Sequence, residues 1–447
     1  MTEDMDVVPD ISDAGDETIT VTKDMDIQES HFIYSQITEK SKKILDYDYK
    51  RCTGCGICVG LCPTKALELG PMHEIATGMD APPVMMDLEK CTFCGMCANF
   101  CPVHAFNMEF EGELPDEDNY PVYDSYVKFN EKCLPCVLCE AVCPEDAIEV
   151  EFTFKKKEEI APFKKDAKGE IEIDMDKCNF CGICAKFCDA FIMVEREPTP
   201  TDLTPFQQIL VDEDKCDYCV LCQDLCPEDA IRVKGERPCE APSIEGNITV
   251  DDKKCTRCTW CKAVCPYDAV DVKKPFEGEL VLVEGNIDKC DPQGCHGCFN
   301  VCPSHLWYVP EDTGKKIAIK EDYCTYCGAC VNACHVDVMR VSRDKVNHTE
   351  IPDSPWASQW KDAVGSMVTS KRNIPDISRT LKVEKEPPRE HVEVVMPEFD
   401  ESLLNAARER IEKAMPALKN VKIRRTWECK PADEARAAVI KHMKKAN

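Results

Sequence analysis

The chain has 447 residues and 34 cysteines, with 83 acidic against 55 basic side chains and a formal charge of −28. A surface this acidic repels phosphate and excludes nucleic acid as a partner. A mean hydropathy of −0.35, with no apolar run near the roughly 18 residues of a span, predicts no membrane span.

In chain order, the start Met1-Thr2-Glu3-Asp4-Met5-Asp6 lacks the basic and apolar regions of a secretory signal. A cytoplasmic location is therefore expected, where reducing conditions argue against disulfides and so much sulfur must serve metal. Residues 1–46 read as an acidic tail, either solvated or ordered by a partner through the apolar patch Phe32-Ile33-Tyr34. Then come eight groups of four cysteines. Seven share the spacing C-x2-C-x2-C-x3-C, beginning at Cys52, Cys91, Cys133, Cys178, Cys216, Cys255 and Cys324. The seventh group in chain order, Cys290, Cys295, Cys298 and Cys302, has a longer first gap. Between the last two groups, Leu306-Trp307-Tyr308-Val309 and Lys316-Ile317-Ala318-Ile319 flank a Gly-bearing turn and predict a hairpin. Residues 347–399, Pro-punctuated, read as an extended linker. Residues 400–447 read as a small docking element, helices over 401–415 and 432–445 around a strand at 421–427. Cys239 and Cys429 stand outside the groups and read as inert thiols.

Three cysteines at i, i+3 and i+6 can wrap a cubane, and a trailing fourth is the pattern of two-cluster ferredoxins, in which it ligates the other cluster. Zinc favours two separated C-x2-C pairs and fits this run poorly. The Pro that usually follows the fourth Cys suits the first turn of a helix, so a helix is expected to begin there. The expected fold class is α+β, a tandem array of four two-[4Fe-4S] bacterial-type ferredoxin modules over residues 47–115, 126–200, 205–275 and 280–346.

Pairing neighbours gives eight ligand sets. The first module holds Cys52, Cys55, Cys58 with Cys101, and Cys91, Cys94, Cys97 with Cys62. The second holds Cys133, Cys136, Cys139 with Cys188, and Cys178, Cys181, Cys184 with Cys143. The third holds Cys216, Cys219, Cys222 with Cys265, and Cys255, Cys258, Cys261 with Cys226. The fourth holds Cys290, Cys295, Cys298 with Cys334, and Cys324, Cys327, Cys330 with Cys302. Neighbour pairing is the simplest arrangement; a nested one, with one module inserted within another, exchanges only the fourth ligands and is not excluded by the sequence.

Motifs four and eight alone lack the Pro, reading Cys188-Asp189 and Cys334-His335. Motifs two and six are each followed by Phe-Glu-Gly-Glu-Leu. A duplicated four-cluster unit, with halves meeting near Pro205, follows. Modules this small bury little apolar surface, so the clusters must supply much of the folding energy. No dinucleotide fingerprint or P-loop is present, and no catalytic site is indicated. His296, His305 and His335 lie beside the motifs and read as packing residues. Eight assembled clusters would add about −16 to the chain's charge, a direction that suits low potentials.

The repeated motif, and in particular Cys52-Thr53-Gly54-Cys55-Gly56-Ile57-Cys58, Ala66-Leu67-Glu68-Leu69-Gly70-Pro71 and the irregular Cys290-Asp291-Pro292-Gln293-Gly294-Cys295, resembles the polyferredoxins of methanogenic archaea. More narrowly, the chain is similar to the polyferredoxin subunits of tungsten- or molybdenum-dependent formylmethanofuran dehydrogenases. That resemblance implies a non-catalytic electron-transfer subunit with eight [4Fe-4S] clusters. It also implies a tungsten or molybdenum pterin subunit among its partners, and ferredoxin or heterodisulfide reductase as electron donor. The alternative is the polyferredoxin of a hydrogenase or heterodisulfide reductase complex.

Overall fold

The computed structural model describes residues 21–39, 41–112, 120–311, 316–353 and 356–369. Its repeating unit is a cysteine loop, one short helix and a strand. The helices are Ile57–Leu61, Met96–Asn99, Leu138–Val142, Ile183–Phe187, Leu221–Leu225, Trp260–Val264, Gly297–Val301 and Ala329–Ala333. Each begins beside the third cysteine of its motif and stops before the fourth. This corrects the expectation that a helix begins at the fourth cysteine. Cys62 (φ −65°, ψ 111°) and Cys143 (φ −66°, ψ 115°) are extended, the conformation a following Pro imposes on its predecessor. Cys188 and Cys334 are extended as well, without a Pro. Residues four apart on these helices, such as Ile57/Leu61, Ile183/Phe187 and Leu221/Leu225, are buried, so even one turn presents an apolar face.

The strands determine which motifs share a core. Leu67–Leu69 pairs with Val84–Met86, and Ser41–Asp48 with Phe106–Gly112, joining motif one to motif two. Phe276–Leu282 pairs with Met339–Val346, and Trp307–Tyr308 with Ala318–Ile319, joining seven to eight. The second of these is the hairpin read from the sequence.

The middle of the chain departs from neighbour pairing. Tyr126–Phe129 pairs with Val270–Lys273, and Ile148–Phe152 with Gly246–Val250, so motif three joins motif six. Between those strands, Glu170–Ile173 pairs with Ile231–Lys234, and Phe191–Glu195 with Phe206–Val211, so motif four joins motif five. The expected modules 126–200 and 205–275 are thus replaced by an outer pair with an inner pair inserted in it. The two presumed halves are not separate folding units, because these ladders run across Pro205. The physical reason is strand pairing. Val150 and Ile148 oppose Ile248 and Val250 on one apolar face, and that match is independent of cysteine spacing.

Two further readings are corrected. Within the presumed acidic tail, Thr22–Gln28, His31–Ile37 and Ser41–Asp48 form three antiparallel strands that extend the sheet ending in Phe106–Gly112. Alternation places Tyr34, Leu45 and Tyr47 inward, at 4%, 1% and 1% exposure, while the carboxylates between them point away. Tyr47 stacks on Phe106 with ring centroids 4.2 Å apart. Within the presumed linker, Ala357–Met367 is a helix. Its Trp360, Ala363, Val364 and Met367 are buried in one cluster with Ile57, Leu61, Phe100 and Phe276, an i, i+3, i+4, i+7 stripe. The expected docking element at 400–447, and Cys429 within it, lie outside the described residues. Among the described residues no helix is long and apolar enough to cross a membrane.

Candidate iron–sulfur sites

Six of the eight cysteine loops have left-handed residues on both sides of the second cysteine; beside Cys295 only His296 is left-handed, and beside Cys136 neither neighbour is. In the first loop the two are Gly54 (φ 68°) and Gly56 (φ 75°), where glycine meets no steric penalty. Elsewhere bulkier residues take the same positions: Tyr218 and Val220 flank Cys219, and Arg257 and Thr259 flank Cys258. A β-branched residue with positive φ is strained, so the loop shape is imposed at a cost. What the turn achieves is to aim successive N–H groups inward, a concavity suited to anions. The N–H of Gly54 reaches the Cys52 sulfur, that of Ile57 reaches Cys55, and that of Tyr326 reaches Cys324 at 3.3 Å.

The fourth cysteines have their own donor. The N–H of Ala66 donates to the Cys62 sulfur at 3.2 Å and that of Ala105 to Cys101 at 3.2 Å. Ala147, Ala230, Ala269 and Val338 do the same for Cys143, Cys226, Cys265 and Cys334, at 3.3–3.4 Å. The residue before each donor is left-handed, as at Lys65, His104, Asp146 and Asp229. The donor itself is buried: Ala66 is 2% exposed and Ala105 is fully buried. This Cys-x3-Ala signal was visible in the sequence and was missed.

The thiols come together in fours. Cys52, Cys55 and Cys58 surround Cys101, and Cys91, Cys94 and Cys97 surround Cys62. Cys290, Cys295 and Cys298 meet Cys334, and Cys324, Cys327 and Cys330 meet Cys302. In the middle of the chain the fourth partners differ from neighbour pairing, as the strands require. One cavity is lined by Cys178, Cys181, Cys184 and Cys226, and another by Cys133, Cys136, Cys139 and Cys265. Cys255, Cys258 and Cys261 gather with Cys143, and Cys216 and Cys222 with Cys188. Cys188, Cys143, Cys265 and Cys226 therefore stand with groups other than those neighbour pairing assigned to them.

Burial pushes these thiols up, to about 12 at Cys52 and Cys181 and about 11 at Cys136 and Cys302. Four protonated thiols crowded in an apolar cavity gain from a cation centre that binds them as thiolates. The all-sulfur donor set, the cavity inside it and the converging N–H groups fit a [4Fe-4S] cluster. The seventh motif has an additional feature. His73 and His335, their rings 4.1 Å apart, bring nitrogens within 4.8 Å of the Cys295 sulfur, while His73 also contacts the Ala333 carbonyl at 3.1 Å. His305 lies edge-on to Trp260, in line with packing. Cys239, a free thiol, packs against the buried cluster that includes Leu138, Ile183 and Phe187.

A 4Fe-4S dicluster domain family matches residues 51–105, 132–192 and 289–338. The middle match reads motifs three and four as consecutive, because ligand spacing carries no information on strand partners. A ferredoxin of Methanothermococcus thermolithotrophicus is 39% identical over 54 residues, 12% of this chain and 87% of that protein. The polyferredoxin FwdF of Methanocaldococcus jannaschii is 36% identical over 53 residues, 12% of this chain and 15% of that protein. The fold is similar to a chain in the formate dehydrogenase–heterodisulfide reductase–formylmethanofuran dehydrogenase complex of Methanospirillum hungatei. There the TM-score is 0.51 and the identity 25%, over 78% of this chain and 92% of that one. A ferredoxin relative covered almost end to end, together with the repeated dicluster motifs, places this chain in the ferredoxin family, with a likeness to the polyferredoxin FwdF over one stretch.

Proposed function

We propose that the chain carries eight [4Fe-4S] clusters in four two-cluster modules and conducts electrons to the catalytic subunits of a formylmethanofuran dehydrogenase assembly. The modules are residues 47–115 with the preceding strands, an outer unit of 126–152 and 246–274, an inner unit of 157–234, and 280–346. When bound, such clusters exchange single electrons at low potential.

The observation that carries this reading is the continuity of the thiol groups. Cys55 acts on Cys327 across the first and last modules. Lys274 lies near both Cys258 and Cys324, and its ammonium donates to the Cys324 carbonyl at 2.9 Å. Cys261 acts on Cys139, Cys136 on Cys181, and Cys222 on Cys184. The groups thus form a connected series, held by side chains that bridge modules. Asn332 donates to the Gly54 carbonyl at 2.9 Å, and Asn300 to the Ala76 carbonyl at 2.8 Å. The partners in this proposal are a tungsten or molybdenum pterin subunit and a ferredoxin or heterodisulfide reductase donor. The test is anaerobic isolation of the native assembly. Iron and sulfide equivalent to eight clusters, with a pterin metal copurifying, support the proposal. A nickel subunit in its place assigns the chain to a hydrogenase assembly.

A further inference from the structure

The group Cys216, Cys219, Cys222 and Cys188 differs from the others in position, access and charge. It stands last in the series. The thiols acting on Cys222 are Cys219, Cys188 and Cys216, its own group, and the route inward passes from Cys184 to Cys181 and on to Cys136. An open cleft of about 610 Å³ adjoins it, with Cys219, Asp217, Lys164, Lys165, Lys168 and Glu236 in its wall.

One wall of this cleft is opposite in charge to the chain. Residues 155–168 carry six lysines and three acidic residues in a chain of net charge −28. In the cleft, Lys164 pairs with Glu236 at 2.9 Å, and Asp217 is neutralised by Lys157 at 2.7 Å. Exposed Lys165 and Lys168 then outnumber Asp166. Phe163, 47% exposed, offers an apolar contact at the same edge.

Lys157 is the one fully buried lysine among the described residues, at 2% exposure. Its ammonium acts on Cys188 more than Asp217 does, while at Cys216 and Cys219 the Asp217 carboxylate opposes it and is the larger of the two. Lys157 thus offsets the Asp217 charge beside these thiols, and relative to the carboxylate alone favours the more negative, electron-loaded state of whatever they hold.

We propose that this tip is the docking port where the chain exchanges electrons with an acidic carrier protein. Carboxylates on the carrier meet Lys165 and Lys168, while Lys157 stabilises the electron-loaded state of the nearest thiol group. One electron leaves the reduced carrier and one is gained by the chain. No bond forms or breaks. The port rests on the electron-transfer reading above.

The test uses the full-length, cluster-loaded chain and an acidic two-cluster ferredoxin as probe. In Lys165→Glu/Lys168→Glu, with iron content equal to that of the unaltered chain, Kd for the ferredoxin rises about tenfold at low salt. The difference closes as salt screens the charges. In Lys157→Met, potentiometry followed by EPR shows one cluster whose reduced-to-oxidised ratio at fixed potential falls about tenfold, and Lys157→Arg restores it. The port is overturned if the double variant binds with an unchanged Kd and salt dependence while the unaltered chain still accepts electrons from ferredoxin. If the unaltered loaded chain accepts no electrons from any low-potential carrier, the electron-transfer reading itself fails.

Discussion

Tyr47→Phe isolates one hydroxyl at the edge of the first thiol group. Tyr47 is 1% exposed, and its oxygen accepts the Val84 N–H at 3.1 Å. Its proton bonds the Cys52 sulfur, and burial keeps the hydroxyl protonated far above its ordinary range. Phenylalanine keeps the stack on Phe106 and loses both bonds. Val84 is 2% exposed, so its N–H is left without a partner, at a cost of about 1–3 kcal/mol. For a module of this size each kcal/mol moves Tm by about 4–8 °C, which predicts a fall of about 4–24 °C. The assay is loss of the cluster charge-transfer absorbance on heating, at matched iron content. The lost O–H···S bond also makes reduction of that one cluster harder. An unchanged melting profile together with unchanged potentials would refute the reasoning, since it would mean that Tyr47 satisfies neither group.

Ala105→Leu forces three carbons into a fully buried site beside Cys101. The expected cost is about 1–3 kcal/mol, seen as selective loss of iron from the Cys52, Cys55, Cys58 and Cys101 group. Trp360→Ala removes a ring 5.8 Å from Phe100 and 5.7 Å from Tyr120. A loss of about 3–5 kcal/mol is expected, and hydrogen exchange should quicken across Ala357–Met367 while the cysteine loops stay protected. At His31, burial lowers the pKa, but the 2.8 Å bond to Asp46 and the charges of Asp46, Asp48 and Glu29 outweigh it and raise it above 6.5. Its stabilisation is therefore complete below pH 6.5 and is lost as pH rises through the folded value. The strand His31–Ile37 should exchange its amides faster above that range, after correction for intrinsic rates, and His31→Gln should abolish the difference.

The cysteine spacing already indicated the chemistry, because a cubane with three ligands from one loop leaves few alternatives to i, i+3, i+6. The hairpin at Trp307–Ile319 was equally visible, with short apolar runs around a Gly-bearing turn. The wiring of the middle motifs was not. Cys143 and Cys226 have identical local surroundings in either arrangement, and the choice is made by Val150 opposite Ile248 and Val233 opposite Ile171. Long-range strand pairing leaves no mark on ligand spacing. The N-terminal strands were hidden by composition: acidic residues dominate the count, yet Phe32, Tyr34, Leu45 and Tyr47 fall at alternate positions, as one inward face requires. The Ala357–Met367 helix was obscured by Pro355, which reads as a breaker but stands just ahead of the helix. Lys157 looked like one lysine in a basic run until the fold enclosed it with Asp217.

Central to the account is the nested arrangement of motifs three to six, in which the outer thiol groups take their fourth cysteine across the inserted unit and the inner groups exchange theirs within it. Cys226→Ser tests it most directly, with anaerobic thiol alkylation of the loaded chain mapped by mass spectrometry. The account predicts that Cys178, Cys181 and Cys184 become labelled while Cys255, Cys258 and Cys261 stay protected. Labelling of Cys255, Cys258 and Cys261 instead would contradict it.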